Sequence, residues 1–256
     1  MLAKRKLEGR RDALFWVGPA ILKPALYSTT VHEWIDPEKI PATGGCILVT
    51  NHVTKIDPVT VAHILYDYGR MPRYLAKDAL FDVPVLGRLM RMGRQIPVKR
   101  MTAGAVGAFD AAVEAVNDGE LIVVYPEGTI TRDPDLWPMR GKSGAARIAL
   151  ATGVPVVPLG HWGEQAILKP YSAKPHVVPR KKVRMKVGDP VPLDDLRDRG
   201  VSPETISEAT DRIMAALTGL VADLRGEKPP AERFDPRAAG IDEIGNPKKK
   251  RAKGDE

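Results

Sequence analysis

From Cys46 to Pro58 the chain reads C-I-L-V-T-N-H-V-T-K-I-D-P, and no other stretch narrows its possible folds as much. Ile47, Leu48, Val49 and Thr50 form a short β-rich apolar run, the pattern of a buried strand. The run stops at Asn51 and His52, and Asp57-Pro58 then opens a helical apolar pattern. A buried strand that turns straight into a helix is a building unit of α/β sheets, whose ligands bind at the carboxyl ends of the strands.

His52 and Asp57 have a chemical use if they meet. A carboxylate can fix an imidazole's tautomer by accepting its far N–H. It also favours the imidazolium that forms when the other nitrogen takes a proton. Within a regular helix a spacing of five sets two residues about 140° apart, so the pair meets only if the chain bends between them. The same residues have a second reading: Asp57 as an N-cap, Pro58 as the first helical residue and His52 as a loop histidine.

The pattern continues along the chain. Strands are expected at 29–35, 46–50, 73–76, 95–98, 121–125, 154–159 and 183–187, and helices at 58–68, 85–92, 103–117, 142–152 and 203–225. Gly160 reads as the stop of the strand before it. Strands alternating with helices argue for one α/β domain with terminal additions, over 28–226. Residues 1–27 read as an amphipathic segment that Pro19 and Pro24 break into short helical pieces. Its basic start and apolar side suit either a membrane interface or the protein's own core. Residues 227–256, with the K-K-K-R run at 248–251, read as a disordered basic tail.

Composition removes some classes. The formal charge of +7 suggests an anionic partner, but aromatics are 5% and not interleaved with basic residues, which argues against nucleic acid. The single cysteine, Cys46, cannot make an internal disulfide and fits a reducing compartment. No Cys, His and carboxylate cluster has structural metal spacing. The uncharged run 13–22 is shorter than the roughly 20 residues of a membrane span.

Further stretches place polar groups at strand ends. Residues 93–100, G-R-Q-I-P-V-K-R, end in Lys99 and Arg100, either a phosphate grip or two solvated cations. Residues 125–129, Y-P-E-G-T, stop a buried strand in a sharp turn. There Gly128 lets backbone approach a ligand and Glu127 can accept from a hydroxyl. Residues 141–146, G-K-S-G-A-A, form a glycine-flanked helix start whose N–H groups and Lys142 suit an anion, without phosphate-loop spacing.

In this order these stretches resemble the blocks of the glycerolipid acyltransferase superfamily, the bacterial 1-acylglycerol-3-phosphate acyltransferases in particular. Asn51-His52 with Asp57-Pro58 resembles the first block, 93–100 the second, Y-P-E-G-T the third and V-P-V-V-P at 154–158 the fourth. The segment A-K-D-A-L-F at 76–81 is similar to another recurring stretch of that family. Ile130 stands where the family has Arg after Glu-Gly-Thr, and Arg132 follows two positions on.

The resemblance implies an α/β fold with a mixed sheet flanked by helices and an N-terminal amphipathic helical segment. It implies transfer of a fatty acyl chain from an acyl thioester, acyl-CoA or acyl-acyl carrier protein, to the free hydroxyl of 1-acylglycerol-3-phosphate. The product would be phosphatidate. Glycerol-3-phosphate or another lysolipid is the alternative acceptor. His52 would be the base and Asp57 its orienting partner. Lys77, Arg100 and Arg132 would hold the acceptor phosphate with Lys142 as a further anion contact, and Glu127 and Thr129 would meet the glycerol backbone beside Gly128. No metal or cofactor is implied, and the enzyme would sit peripherally on the cytoplasmic face of the cell membrane. Two rival classes remain. A hydrolase could use the pair to activate Ser143 or water, though no G-x-S-x-G is present. A non-enzymatic anion-binding module would need the basic residues but not His52.

Overall fold

The computed structural model describes residues 13–98 and 104–242. Among them the strands in chain order are β1 (Thr30–Ile35), β2 (Cys46–Thr50), β3 (Pro72–Lys77), β4 (Ile96–Val98), β5 (Leu121–Val124), β6 (Val156–Trp162) and β7 (Lys181–Val187). They form one sheet in the order β1-β7-β6-β2-β5-β3-β4. The run from β6 to β4 is parallel, while β7 is antiparallel to β6 and β1 pairs parallel with β7. The sheet is therefore mixed, as expected.

The helices are α1 (Ala13–Thr29), α2 (Asp57–Asp67), α3 (Leu86–Met92), α4 (Gly104–Asn117), α5 (Gly144–Thr152), α6 (Glu164–Ile167), α7 (Asp194–Asp198) and α8 (Pro203–Arg225). Central strands read as unbroken apolar runs because helices cover both faces. Along β2, Ile47 and Val49 join one core with Ala112 of α4, Ile148 of α5 and Leu217 of α8. Cys46 and Leu48 face the other way, into a core with Val61, Ile64 and Leu65 of α2.

This connectivity creates the crevice. From β2 the chain leaves through α2 on one face to β3, and from β5 it leaves through α5 on the other face to β6. Adjacent parallel strands whose connections depart to opposite faces open a gap at their carboxyl ends. The residues after β2 and after β5, His52 and Glu127 among them, border that gap.

Two differences from expectation have physical causes. Residues 13–29 form one helix through Pro19 and Pro24, not short pieces. Each proline has a φ compatible with a helix but removes one ladder hydrogen bond and crowds the carbonyl four residues before it, and the helix continues past both. Near its end the Thr29 hydroxyl bonds back to the Ala25 carbonyl at 2.7 Å. The helix docks on α2, where Lys23 pairs with Asp67 and lies 4.4 Å from the Tyr66 ring centroid. Leu22 and Tyr27 stay exposed, and residues 1–12 lie outside the described ones. Second, β6 continues through Gly160 to Trp162. A Cβ on Gly160 would stand 2.7 Å from Leu220 Cβ, so the glycine is there for the close approach of α8, not to end the strand.

α8 starts as its sequence requires. Ser202 and Thr205 exchange bonds in a capping box, and Ile213, Leu217, Val221 and Leu224 are buried in its stripe. Of the expected tail, residues 227–242 are described. The Arg140 N–H donates to the Phe234 carbonyl at 2.9 Å, and Pro236 is buried. The basic run at 248–251 lies outside the described residues.

Candidate active site

Asp57 stands at the first turn of α2 and is fully buried. Its carboxylate does not cap that helix, the alternative the sequence left open. It collects donors from the preceding turn instead: Oδ2 accepts from Val53 N–H at 2.7 Å and Thr54 N–H at 2.8 Å, and Oδ1 from the Thr54 hydroxyl at 2.5 Å. Burial alone would raise this carboxyl. The nearby His161 imidazole and the bonds from His52 and Thr54 outweigh it and hold the group below its ordinary value.

The bend that gathers these donors also brings in His52, whose Nδ1 lies 2.8 Å from Asp57 Oδ2. An ionised carboxylate only accepts, so Nδ1 carries the hydrogen, and in the neutral ring the lone pair is on Nε2. His52 is fixed at its backbone as well. Its N–H donates to Glu127 Oε1 at 2.9 Å, and its carbonyl accepts from Thr131 N–H at 2.7 Å. The ring rests against Tyr125 with centroids 4.3 Å apart, and the side chain is 17% exposed. An imidazole oriented this way can take a proton from a bound hydroxyl.

Glu127, expected to meet the substrate's glycerol, has its oxygens engaged by backbone N–H groups of the protein. It is 1% exposed. One oxygen takes the His52 N–H and the other the Met139 N–H at 3.1 Å. Burial pushes its carboxyl up to about 8, against the pull of the Met139 and His52 N–H donors. It is a scaffold for the histidine turn.

The other expected residues fall in different places. Gly128 has φ of 69°, and a Cβ there would stand 3.1 Å from Lys142 Cδ. The aliphatic stem of Lys142 thus runs over Gly128 just after β5, and the residue as a whole is exposed. Thr129 follows, half-buried. Arg132 is largely buried, its guanidinium 4.8 Å from the Tyr171 ring centroid, so it faces inward and not into open solvent. Lys77 ends β3 and is exposed, one strand beyond β5 on the same edge. Arg100 lies outside the described residues.

His161 and Glu164 extend the site beyond the residues expected from sequence, and Asn51, expected only as part of the first block, links His161 to the histidine turn. His161 is the next-to-last residue of β6, beside β2, at 0% exposure, with Nε2 3.7 Å from Asp57 Oδ2. An H-x-x-E spacing past a strand was the available signal, hidden because Gly160 reads as a stop. Cys46 lies at the opposite end of β2 from His52, and burial pushes its thiol up to about 12. A recess of about 850 Å³ on the outer side of α8, lined by Glu208, Asp211 and Arg212 among others, shares no residue with the histidine turn.

The family model described as Acyltransferase matches residues 32–162. A chloroplastic 1-acyl-sn-glycerol-3-phosphate acyltransferase of Brassica napus is 35% identical over 133 residues, covering 51% of this chain and 37% of that one. A 1-acyl-sn-glycerol-3-phosphate acyltransferase of Borreliella burgdorferi is 29% identical over 123 residues, 48% of this chain and 47% of that one. The matches thus span less than half of these curated relatives. The solved structure of the 1-acyl-sn-glycerophosphate acyltransferase PlsC from Thermotoga maritima shares the fold, with a TM-score of 0.63 over 85% of this chain and 82% of that one at 22% identity. Since the matched stretch takes in more than half of the residues and runs from β1 to the end of β6, through the turn that joins His52 to Asp57, the chain belongs to the acyltransferase family.

Proposed function

We propose that this protein moves a fatty acyl group from an acyl thioester to the free hydroxyl of 1-acylglycerol-3-phosphate, forming phosphatidate. The observation that carries the reading is the 2.8 Å contact between His52 Nδ1 and the buried carboxylate of Asp57. The names of the relatives support the choice of acceptor.

In this mechanism His52 Nε2 removes the acceptor's hydroxyl proton as that oxygen attacks the thioester carbonyl. Asp57 stabilises the imidazolium. The tetrahedral intermediate then collapses, the C–S bond breaks, and the imidazolium returns its proton to the thiolate. Proton transfer of this kind supplies typically about 10²- to 10⁴-fold, and positioning of the two substrates supplies much of the rest. Lys142 over Gly128, with Lys77 on the same edge, provides positive charge for the acceptor phosphate. In this mechanism the acyl group passes directly to the acceptor, and Cys46 is sealed in the core away from it.

The assay offers acyl-CoA and acyl-acyl carrier protein in turn, with 1-acylglycerol-3-phosphate, glycerol-3-phosphate, other lysolipids or no acceptor. Phosphatidate formed from 1-acylglycerol-3-phosphate is the expected product. Equal release of free fatty acid without any acceptor would turn the reading to hydrolysis.

The substrates are lipids, and a membrane-contacting surface accompanies the reading. Leu80, Val83, Val85, Leu86, Leu89 and Met92 are all exposed on α3 and the turn before it, together with the exposed Arg88 and Arg91. Apolar side chains among arginines suit an anionic lipid surface, contacted peripherally on the cytoplasmic face. No helix among the described residues is long and apolar enough to cross a membrane. Val85→Asp with Leu89→Asp should reduce flotation with vesicles containing anionic lipid, and unchanged flotation would remove this contact from the proposal.

A further inference from the structure

Behind the His52–Asp57 pair lies a second imidazole with a second carboxylate. His161 and Glu164 are both at 0% exposure. His161 Nε2 lies 2.6 Å from the Asn51 carbonyl oxygen, and Nδ1 lies 3.0 Å from Glu164 Oε2, close enough for an ion pair though not aligned as a hydrogen bond. Both ring nitrogens face oxygen atoms. A neutral imidazole has one N–H, which the Asn51 carbonyl takes, so only the imidazolium also brings a positive charge to the Glu164 carboxyl group.

The surroundings are built to hold that charge. Glu164 Oε1 accepts from the Thr60 hydroxyl at 3.0 Å. Asn51 and His161 are bonded twice more: Asn51 Nδ2 donates to the His161 carbonyl at 3.1 Å, and Asn51 Oδ1 accepts the His161 N–H at 2.9 Å. The end of β6 is thereby tied to the residue next to His52. Tyr125 and Glu127, just after β5, and Tyr74 of β3, which faces Asp57, complete the electrostatic surroundings. Burial would strip the proton from a lone ring here, but the charges of Glu164 and Asp57 reverse that and lift His161 to about 9.

The consequence reaches Asp57, 3.7 Å from His161 Nε2. A carboxylate this deeply buried without a cation tends to take up a proton. Once neutral, it could not favour the His52 imidazolium. We propose that His161 and Glu164 are positioning residues for acyl transfer, a buried imidazolium–carboxylate pair that keeps Asp57 ionised and in place behind His52. The effect on rate rests on the acyltransferase reading, whereas the charge of the pair does not.

Two measurements separate these. Nitrogen NMR of the wild-type protein at neutral pH should show hydrogens on both His161 ring nitrogens, and a ring with a single N–H would overturn the proposal whatever the enzyme does. In acyl transfer, Glu164→Gln should lower kcat about tenfold or more with KM within about twofold. The acid limb of its rate profile should move to higher pH by about one unit, because Asp57 then protonates more readily. His161→Gln should do the same, and the double variant should add little. Variants with wild-type kcat and an unmoved profile would overturn the positioning role. If no acceptor is acylated by the wild type, the functional reading falls while the NMR result still decides the pair. If the variants fail to fold, the wild-type spectrum still decides.

Discussion

Glu127 reaches from the end of β5 to the end of β2 and takes the backbone N–H of His52 at 2.9 Å. The histidine is therefore held twice, by its backbone from one strand and by its ring from α2. Because Glu127 binds its proton at about 8 when folded and near 4.5 as the ordinary value, the folded state is the tighter proton binder. Its contribution to stability is complete below about pH 4.5 and is lost as pH rises through about 8. Each pH unit in that window costs up to about 1.4 kcal/mol. Urea denaturation across the window should show this decline, with a shallower slope in Glu127→Gln, which cannot ionise.

His52→Ala should abolish most transfer, by about 10²-fold or more, at nearly unchanged melting temperature. Asp57 keeps its bonds from Val53 and Thr54 in that variant. Steady-state kinetics beside a thermal melt reads both. A variant with near-normal turnover would remove His52 from the chemistry.

Asp57→Asn separates orientation from charge. A carboxamide oxygen can still accept from His52 Nδ1 and the turn N–H groups, and the Thr54 hydroxyl can reverse to accept from the amide nitrogen. The tautomer of His52 survives and the negative charge is lost. kcat should fall by about 10²-fold with acceptor KM within a few-fold. A loss confined to KM would mean that Asp57 contacts substrate instead.

Lys142→Met keeps the stem over Gly128 and removes the ammonium. If Lys142 meets the acceptor phosphate, KM for the phosphorylated acceptor rises about tenfold or more, with a smaller change in the donor KM. Gly128→Val, at φ of 69°, should lower stability by about 1–2 kcal/mol and displace the same side chain.

Much of this frame can be read from residue order alone. The apolar runs of β2 and β5, buried on both faces, and the well-capped α8 stand where local pattern puts them. The nearness of His52 and Asp57 follows from a bend too, but the donors that Asp57 draws from Val53 and Thr54 depend on the path of the turn, which spacing does not give. Glu127 reads as a substrate contact because nothing local says its oxygens are taken by residues 75 positions before and 12 after it. His161 is hidden for a similar reason. Gly160 looks like punctuation until α8 lies across it, a demand made by a helix far along the chain. Pro19 and Pro24 mislead in the opposite direction, since the helix runs through two residues that local propensity treats as breakers.

Cys46 sits in the core beneath α2, the only thiol of the chain. An alkylating reagent can reach that sulfur only when the packed layers part. The speed of labelling therefore times the opening of the sheet's centre, and a ligand that closes the crevice at the far end of the same strand should slow that clock.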